Sequence, residues 1–164
     1  MISTVEVVPL EGTMYKKSKP KRMKAYLAHS WRSRHHPDKY RIISILNERG
    51  VDVIDPFEGE DKLCREFGEE NYYPNCKFDL GRSMWRKDLQ QIDSCDMLVA
   101  WVPNHIDGRF IGTSFELGYA YIKRKFIQII SPLRHPAFAF LKKKKAQVFE
   151  SVDDFEKLKE MWWE

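Results

Sequence analysis

The stretch KAYLAHSWRSRHHPDKYRIISILNERGVDVIDP, residues 24–56, decides the fold. Its first five residues, Lys24-Ala25-Tyr26-Leu27-Ala28, read as a buried strand. Pro37 fits the first turn of a helix, Tyr40, Ile43, Ile45 and Leu46 supply its apolar stripe, and Gly50 sits just past its end. This is the usual asymmetry of proline at a helix start and glycine at its stop. Val51 to Ile54 is then a second short strand, closed by Asp55-Pro56. A strand, a helix and a strand in this order favour parallel pairing through a right-handed crossover.

Further along the chain the same alternation returns. Residues 84–95 have helical spacing, Met97 to Val102 is the most apolar strand, residues 113–125 form another helix and residues 126–130 another strand. The expected fold is therefore α/β: a single domain with a flavodoxin/Rossmann-like parallel sheet of about five strands flanked by helices. Residues 58–83 interrupt the pattern. They carry no clean apolar period and contain Tyr72, Tyr73, Pro74 and Asn75, so they read as a polar insertion, helical near residues 62–67 and long enough to act as a lid. A terminal helix is expected over 152–163, with Val152, Phe155, Leu158 and Trp162 on the face that docks on the domain or on a second subunit. Before Met23, residues 1–22 read as a solvated arm; residues 3–8 could add a short strand, and Lys16, Lys17, Lys19, Lys21 and Arg22 form a basic run. Nucleic-acid contact is the functional alternative for that run.

Composition narrows the classes without choosing among them. The 164 residues are 43% hydrophobic and 32% charged, and 28 Lys plus Arg against 24 Asp plus Glu leave a net charge of +4, too small to imply a polyanionic partner. The longest apolar stretch, Met97 to Val102, is far short of the roughly 20 residues of a membrane span, and no signal pattern precedes it, so a cytoplasmic protein without membrane association is expected. Cys64, Cys76 and Cys95 are odd in number and lack C-x-x-C spacing, which points to reduced, packed thiols. No His, Cys or Asp spacing suggests a metal site, and no cofactor is expected.

Two carboxylates stand in unusual places. On a helix starting near Met84, steps of about 100° put Asp88 beside Met84, Ile92 and Cys95, on the side that faces the core. It either pairs with Arg86 or Lys87 at the margin of the stripe or serves as an acid/base group. The second is Glu116, in Gly112-Thr113-Ser114-Phe115-Glu116-Leu117-Gly118-Tyr119-Ala120. Thr113-x-x-Glu116 fits a capping box, and pattern alone favours that role. A helix start after a central parallel strand is also where ligands bind in open α/β sheets. Gly112 would let a ligand approach the backbone, and Gly118 would let the helix lie close to its strand.

These segments, together with Asp88-Leu89 ahead of Asp96-Met97-Leu98-Val99-Ala100, resemble the nucleoside 2-deoxyribosyltransferase superfamily, which includes 2'-deoxynucleoside 5'-monophosphate N-glycosidases. The similarity covers about residues 23–131, and the G-T-x-F-E-x-G-x-A run is its specific part. The resemblance implies cleavage or transfer at the N-glycosidic bond of a (deoxy)nucleoside or its 5'-monophosphate. It makes Glu116 the nucleophile of a covalent glycosyl-enzyme intermediate, Asp88 the group that handles the base and its proton, and Tyr26 the residue that orients the nucleophile. It implies as well a homo-oligomer in which a neighbouring subunit completes each site. The sequence departs from the family where many transferases carry an aspartate six residues before the nucleophile to hold the sugar 5'-hydroxyl: Phe110 stands there, and Asp107 lies three residues earlier. The insertion replaces the family's shorter base-contacting segment.

The loop after the first strand, His29-Ser30-Trp31-Arg32-Ser33-Arg34-His35-His36-Pro37, sets two guanidinium groups and two hydroxyls next to a helix start. It is a plausible anion site, and phosphate-binding members of the resembled family use this loop. Ser30, Arg32, Ser33, Arg34, Gly112 and Thr113 are the candidate substrate-binding residues; His35 and His36 read as surface residues. Two rival functions remain open from sequence: a TIR-like NAD glycohydrolase or signalling domain, and a non-catalytic nucleotide-binding module using the lysine-rich segments.

Overall fold

The computed structural model describes residues 22–58, 78–104, 110–132, 135–143 and 146–158. Five strands, β1 (Met23–His29), β2 (Val51–Ile54), β3 (Met97–Trp101), β4 (Phe126–Ile130) and β5 (Gln147–Phe149), form one sheet in the order β2-β1-β3-β4-β5. All four pairings are parallel; Tyr26, for example, lies opposite Ile54 on one side and Leu98 on the other. This is the doubly wound order in which the direction of strand addition switches between β1 and β3. The crevice at the carboxyl ends of those two strands is where such sheets bind ligands.

The helices are α1 (Pro37–Glu48), α2 (Phe78–Ser94), α3 (Ile111–Ile122), α4 (Pro136–Lys143) and α5 (Val152–Lys157). The strand period of two divides the core between the two sheet faces. Tyr26, Ala28, Leu98 and Ala100 pack with Ile92 of α2, Leu117 and Ala120 of α3, and Phe138 of α4. Ala25, Leu27, Met97 and Val99 pack with Ile42 and Leu46 of α1 and with Val152 and Phe155 of α5.

Several local expectations change. In α1 the inward stripe is Lys39, Ile42, Ile45 and Leu46, while Tyr40 is 53% exposed, because Pro37 at the first position sets the phase of the helix. Gly50, at φ +77°, supports the turn from α1 into β2 in a conformation that side chains disfavour. Helix α2 starts at Phe78, inside the segment read as insertion; residues 59–77, with Cys64, Cys76 and the helix expected at 62–67, lie outside the described residues. Helix α3 starts two residues and ends three residues earlier than its pattern suggested. Helix α4 and strand β5, unread in the sequence, supply the fifth strand: β5 is three residues long and pairs with Gln128, Ile129 and Ile130. The expected terminal helix ends at Lys157 within the described residues, and Val152 and Phe155 are buried against this chain's own sheet. Trp162 and residues 1–21, with the possible strand at 3–8, lie outside the described residues. Among the described residues no helix is long and apolar enough to cross a membrane.

Candidate active site

Helix α3 begins where β3 hands the chain to the crevice. Its N-cap is Phe110, which makes no side-chain capping bond; the Ser114 amide donates to the Phe110 carbonyl at 2.8 Å. Thr113 is therefore a buried residue of the first turn and not the cap. The capping box expected from Thr113-x-x-Glu116 does not form, since the helix starts too early for it. The Glu116 carboxyl turns to the sheet instead. The hydroxyl of Tyr26, a fully buried residue in the middle of β1, donates to Glu116 Oε1 at 2.7 Å.

Glu116 is 7% exposed, and its pKa is raised to about 7. Burial is the main cause, because a charged carboxylate loses hydration that apolar neighbours cannot replace. The negative charge of Asp88 adds to the rise, and the Tyr26 hydrogen bond opposes it. Asp88 comes from α2, which runs alongside α3: Trp85 meets Phe115 edge-on with centroids 4.8 Å apart, and the Tyr119 hydroxyl donates to Asp93 at 2.9 Å. The Asp88 side chain is 17% exposed, with the Lys87 ammonium 3.8 Å away. Lys87 also donates to the Pro56 carbonyl at 2.7 Å. The pairing with Lys87 is thus present, and the partly buried carboxylate lies close enough to Glu116 for its charge to act on it.

Gly112 is exposed, and a Cβ there would meet nothing within 4 Å, so its surface is open. The same is true of Gly118, which faces outward; the expectation that it brings the helix close to its strand is not met, because Leu117 and Ala120 make that contact.

The loop after β1 closes into a single 3-10 turn, Trp31–Ser33, capped by Ser30, whose Oγ accepts from the Arg32 amide at 3.3 Å. Arg32 is exposed. Ser33 is fully buried, and its Oγ has no hydrogen-bond partner among the described residues. Arg34 stacks on the Trp31 ring at 3.7 Å and donates to the Trp31 carbonyl. It lines a cavity of about 430 Å³ together with His35, Lys39, Tyr40, Asp55 and Phe57, on the α1 side. His36 caps α1, its Nδ1 accepting from the Asp38 amide at 3.2 Å.

Sequence reading missed a charged cluster in that wall. Asp55 Oδ1 lies 3.1 Å from Nε2 of the buried His29, and Oδ2 accepts from the Lys39 ammonium at 2.7 Å. Burial alone would raise the Asp55 pKa, but the bonds from His29 and Lys39 outweigh it and hold the carboxyl well below the usual range. The available signal was Lys39 itself, a lysine in phase with Ile42 and Leu46 on the inward stripe of α1. Among the described residues no three His, Cys, Asp or Glu side chains meet as a metal site requires.

The site thus centres on a buried carboxyl in the second turn of the helix after β3, bonded to a β1 tyrosine. The sequence profile of nucleoside 2-deoxyribosyltransferases matches residues 25–159. The chain belongs to that family. The family acts at the N-glycosidic bond of nucleosides or nucleotides. No curated protein sequence matches the chain closely. Solved structures do share its fold. The 2-deoxyribosyltransferase of the psychrotolerant bacterium Bacillus psychrosaccharolyticus superposes with a TM-score of 0.54 at 23% identity, over 82% of this chain and 90% of that one. The CMP N-glycosidase BcmB of Clostridium botulinum superposes with a TM-score of 0.53 at 16% identity, over 82% of this chain and 95% of that one.

The buried position of Glu116 has a measurable cost. Its pKa of about 7 in the fold exceeds the ordinary glutamate value of 4.5. The neutral carboxyl is thus the favoured folded form, and the stability present below pH 4.5 is lost as the pH rises through 7. Glu116→Gln keeps an acceptor for Tyr26 and has no charge to bury. It should be more stable than the parent at pH 8 by on the order of 3 kcal/mol, at about 1.4 kcal/mol per pKa unit, with the advantage fading towards pH 4.5. Denaturant melts at pH 4.5, 6 and 8 check this; an advantage independent of pH would mean that Glu116 is not the group that titrates.

Proposed function

We propose that this transferase-family chain breaks the N-glycosidic bond of a (deoxy)nucleoside or its 5'-monophosphate in two displacements, with Glu116 as nucleophile. Ionised Glu116 attacks C1' while the C1'–N bond breaks; the base leaves with the bonding electrons and takes up a proton delivered by Asp88. Water or a second base then attacks C1' from the opposite side, gives its proton to Asp88 and releases Glu116. Two inversions give net retention. Tyr26 acts through Glu116 by fixing the carboxyl that it bonds. Ser30, Arg32, Arg34 and the open surface of Gly112 hold the sugar and its phosphate, while the buried Ser33 and Thr113 shape the turns that carry them. The observation that carries this reading is the buried Glu116 carboxyl in the second turn of α3, bonded to Tyr26 at 2.7 Å and close enough to Asp88 to be influenced by its charge.

The homo-oligomer belongs to the same proposal. Val152 and Phe155 of the terminal helix are buried in this chain's own core. The exposed apolar side chains beside the site are Ile111, 86% exposed, Phe115, 59%, and Trp85, 37%, and a second copy covering them would close the site against water. Phe115→Asp should then yield monomers in sedimentation at concentrations where the parent chain is at least a dimer. An active parental monomer would refute this arrangement.

The deciding experiment incubates the protein with the four common deoxynucleosides and their 5'-monophosphates, with and without a second free base, and follows base release or exchange by chromatography. Glu116→Ala should abolish release, and Asp88→Asn should slow it by about 10² to 10⁴-fold. Because the nucleophile must be ionised, kcat/KM should rise with pH to a break near 7. That break should move down in Asp88→Asn, which removes one of the causes of the raised pKa. Near-normal turnover by Glu116→Ala would end the assignment.

Phosphate recognition is tested in the same assay. A charge-assisted hydrogen bond of roughly 1.5 to 3 kcal/mol implies that Arg32→Ala raises KM for a monophosphate about tenfold or more and leaves its nucleoside unaffected. Equal kcat/KM for a nucleoside and its monophosphate in the parent would assign the chain to nucleosides.

A further inference from the structure

The end of α3 remote from Glu116 carries a second cavity. Ile122 lies six residues beyond Glu116, about 9 Å along the helix axis at 1.5 Å per residue, and the cavity borders the amino end of β4, whereas the crevice lies at the carboxyl ends of the strands. It measures about 550 Å³, within the usual size of small-molecule sites. Ile122 of α3, Phe126 and Ile127 at the start of β4, Leu141 of α4 and Ala146 before β5 make its walls apolar. The half-exposed Phe140 ring packs edge-on against Tyr121, another lining residue, with centroids 5.9 Å apart.

The charges at the rim are of two kinds. Lys125 spends its ammonium on the carbonyl oxygens of Asp93 and Cys95. The Arg124 guanidinium, by contrast, has no hydrogen-bond or ion-pair partner among the described residues. Arg124 sits at φ +56°, the only non-glycine among the described residues in the left-handed region. Just past a helix end, glycine adopts that conformation without the Cβ clash. Here an arginine stands against the backbone preference, and it lines an apolar cavity with no carboxylate paired to its guanidinium among the described residues.

We propose that this cavity binds a small amphiphilic anion, with a hydrocarbon or aromatic body against Ile122, Phe126, Ile127 and Leu141 and a carboxylate, sulfate or phosphate held by Arg124. The apolar walls exclude a fully hydrated anion as the best ligand, and the unpaired guanidinium selects against an uncharged body of the same shape.

Octanoate and octanol serve as charged and uncharged probes for the full chain, read by calorimetry and by methyl NMR. Octanoate should bind one to one, about tenfold more tightly than octanol, and should shift the methyl signals of Ile122, Ile127 and Leu141. Arg124→Gly relieves the strained backbone, so it should raise the melting temperature and yet reduce octanoate affinity to about the level of octanol. Ala146→Phe, which fills the cavity, should abolish binding of both. The proposal is overturned if neither probe binds, if the two bind equally, or if Arg124→Gly binds octanoate as the parent does. None of these readouts depends on Glu116 or on base release.

Discussion

All five residues of β3 and five of the seven in β1 are buried, so both central strands must be covered by helices on both faces. That constraint places α2, α3 and α4 on one side and α1 and α5 on the other. It also leaves the carboxyl ends of β1 and β3 as the place where two connections diverge. Chain leaving β1 turns through Trp31–Ser33 into α1 on one face; chain leaving β3 reaches α3 on the other. Side chains from both connections can meet a ligand between them, while the strands below stay dry and rigid. Tyr26 links the two systems, since it belongs to the sheet core by its ring and to α3 by its hydroxyl.

Two buried carboxyls near this edge illustrate opposite outcomes of the same desolvation. Asp55 is surrounded by donors: His29, Lys39 and the Phe57 amide all reach it, and the charged form is strongly favoured. Such a group anchors structure, joining β1, β2 and α1 where the sheet has little apolar surface left to bury. Glu116 receives one hydrogen bond, from a neutral phenol, and lies within the influence of a second negative charge. Its charge is held in reserve at a free-energy cost that the packed helices around it must offset. A carboxylate of that kind is more basic than one in water and gains from any developing positive charge brought to it, as an oxocarbenium-like sugar would be.

Family membership and fold likeness carry different weights. At 16% and 23% identity the two solved structures share this chain's backbone arrangement, and a common fold hosts many chemistries. The sequence profile reaches further because it spans residues 25–159 as one unit, from β1 to just beyond α5. Aromatic Phe110 at the cap of α3, packed near His135 and Phe138, shows how this member rebuilds the edge of the site with rings.

Much of this was legible in the residues themselves. Continuous apolar runs such as Met97–Trp101 mark strands buried on both faces, Pro37 and Gly50 punctuate α1, and the segment from Gly112 to Ala120 has an order specific enough to single out Glu116. Short elements were not legible: β5 has three residues, too few for a period, and is a strand only because Gln128, Ile129 and Ile130 offer it an open edge. The sequence by itself determined the class of fold, the family and the identity of the unusual carboxylates, because those depend on local periodicity and on motifs within a dozen residues. Only the tertiary structure decided which partners the carboxyls bond. Thr113-x-x-Glu116 is a capping box on paper, and it ceases to be one when Tyr26, ninety residues away, offers the better partner. Asp55 likewise pairs with Lys39 and His29 across three elements. Hydrogen bonds and desolvation act between groups brought together by the sheet, over sequence distances at which no local pattern carries information.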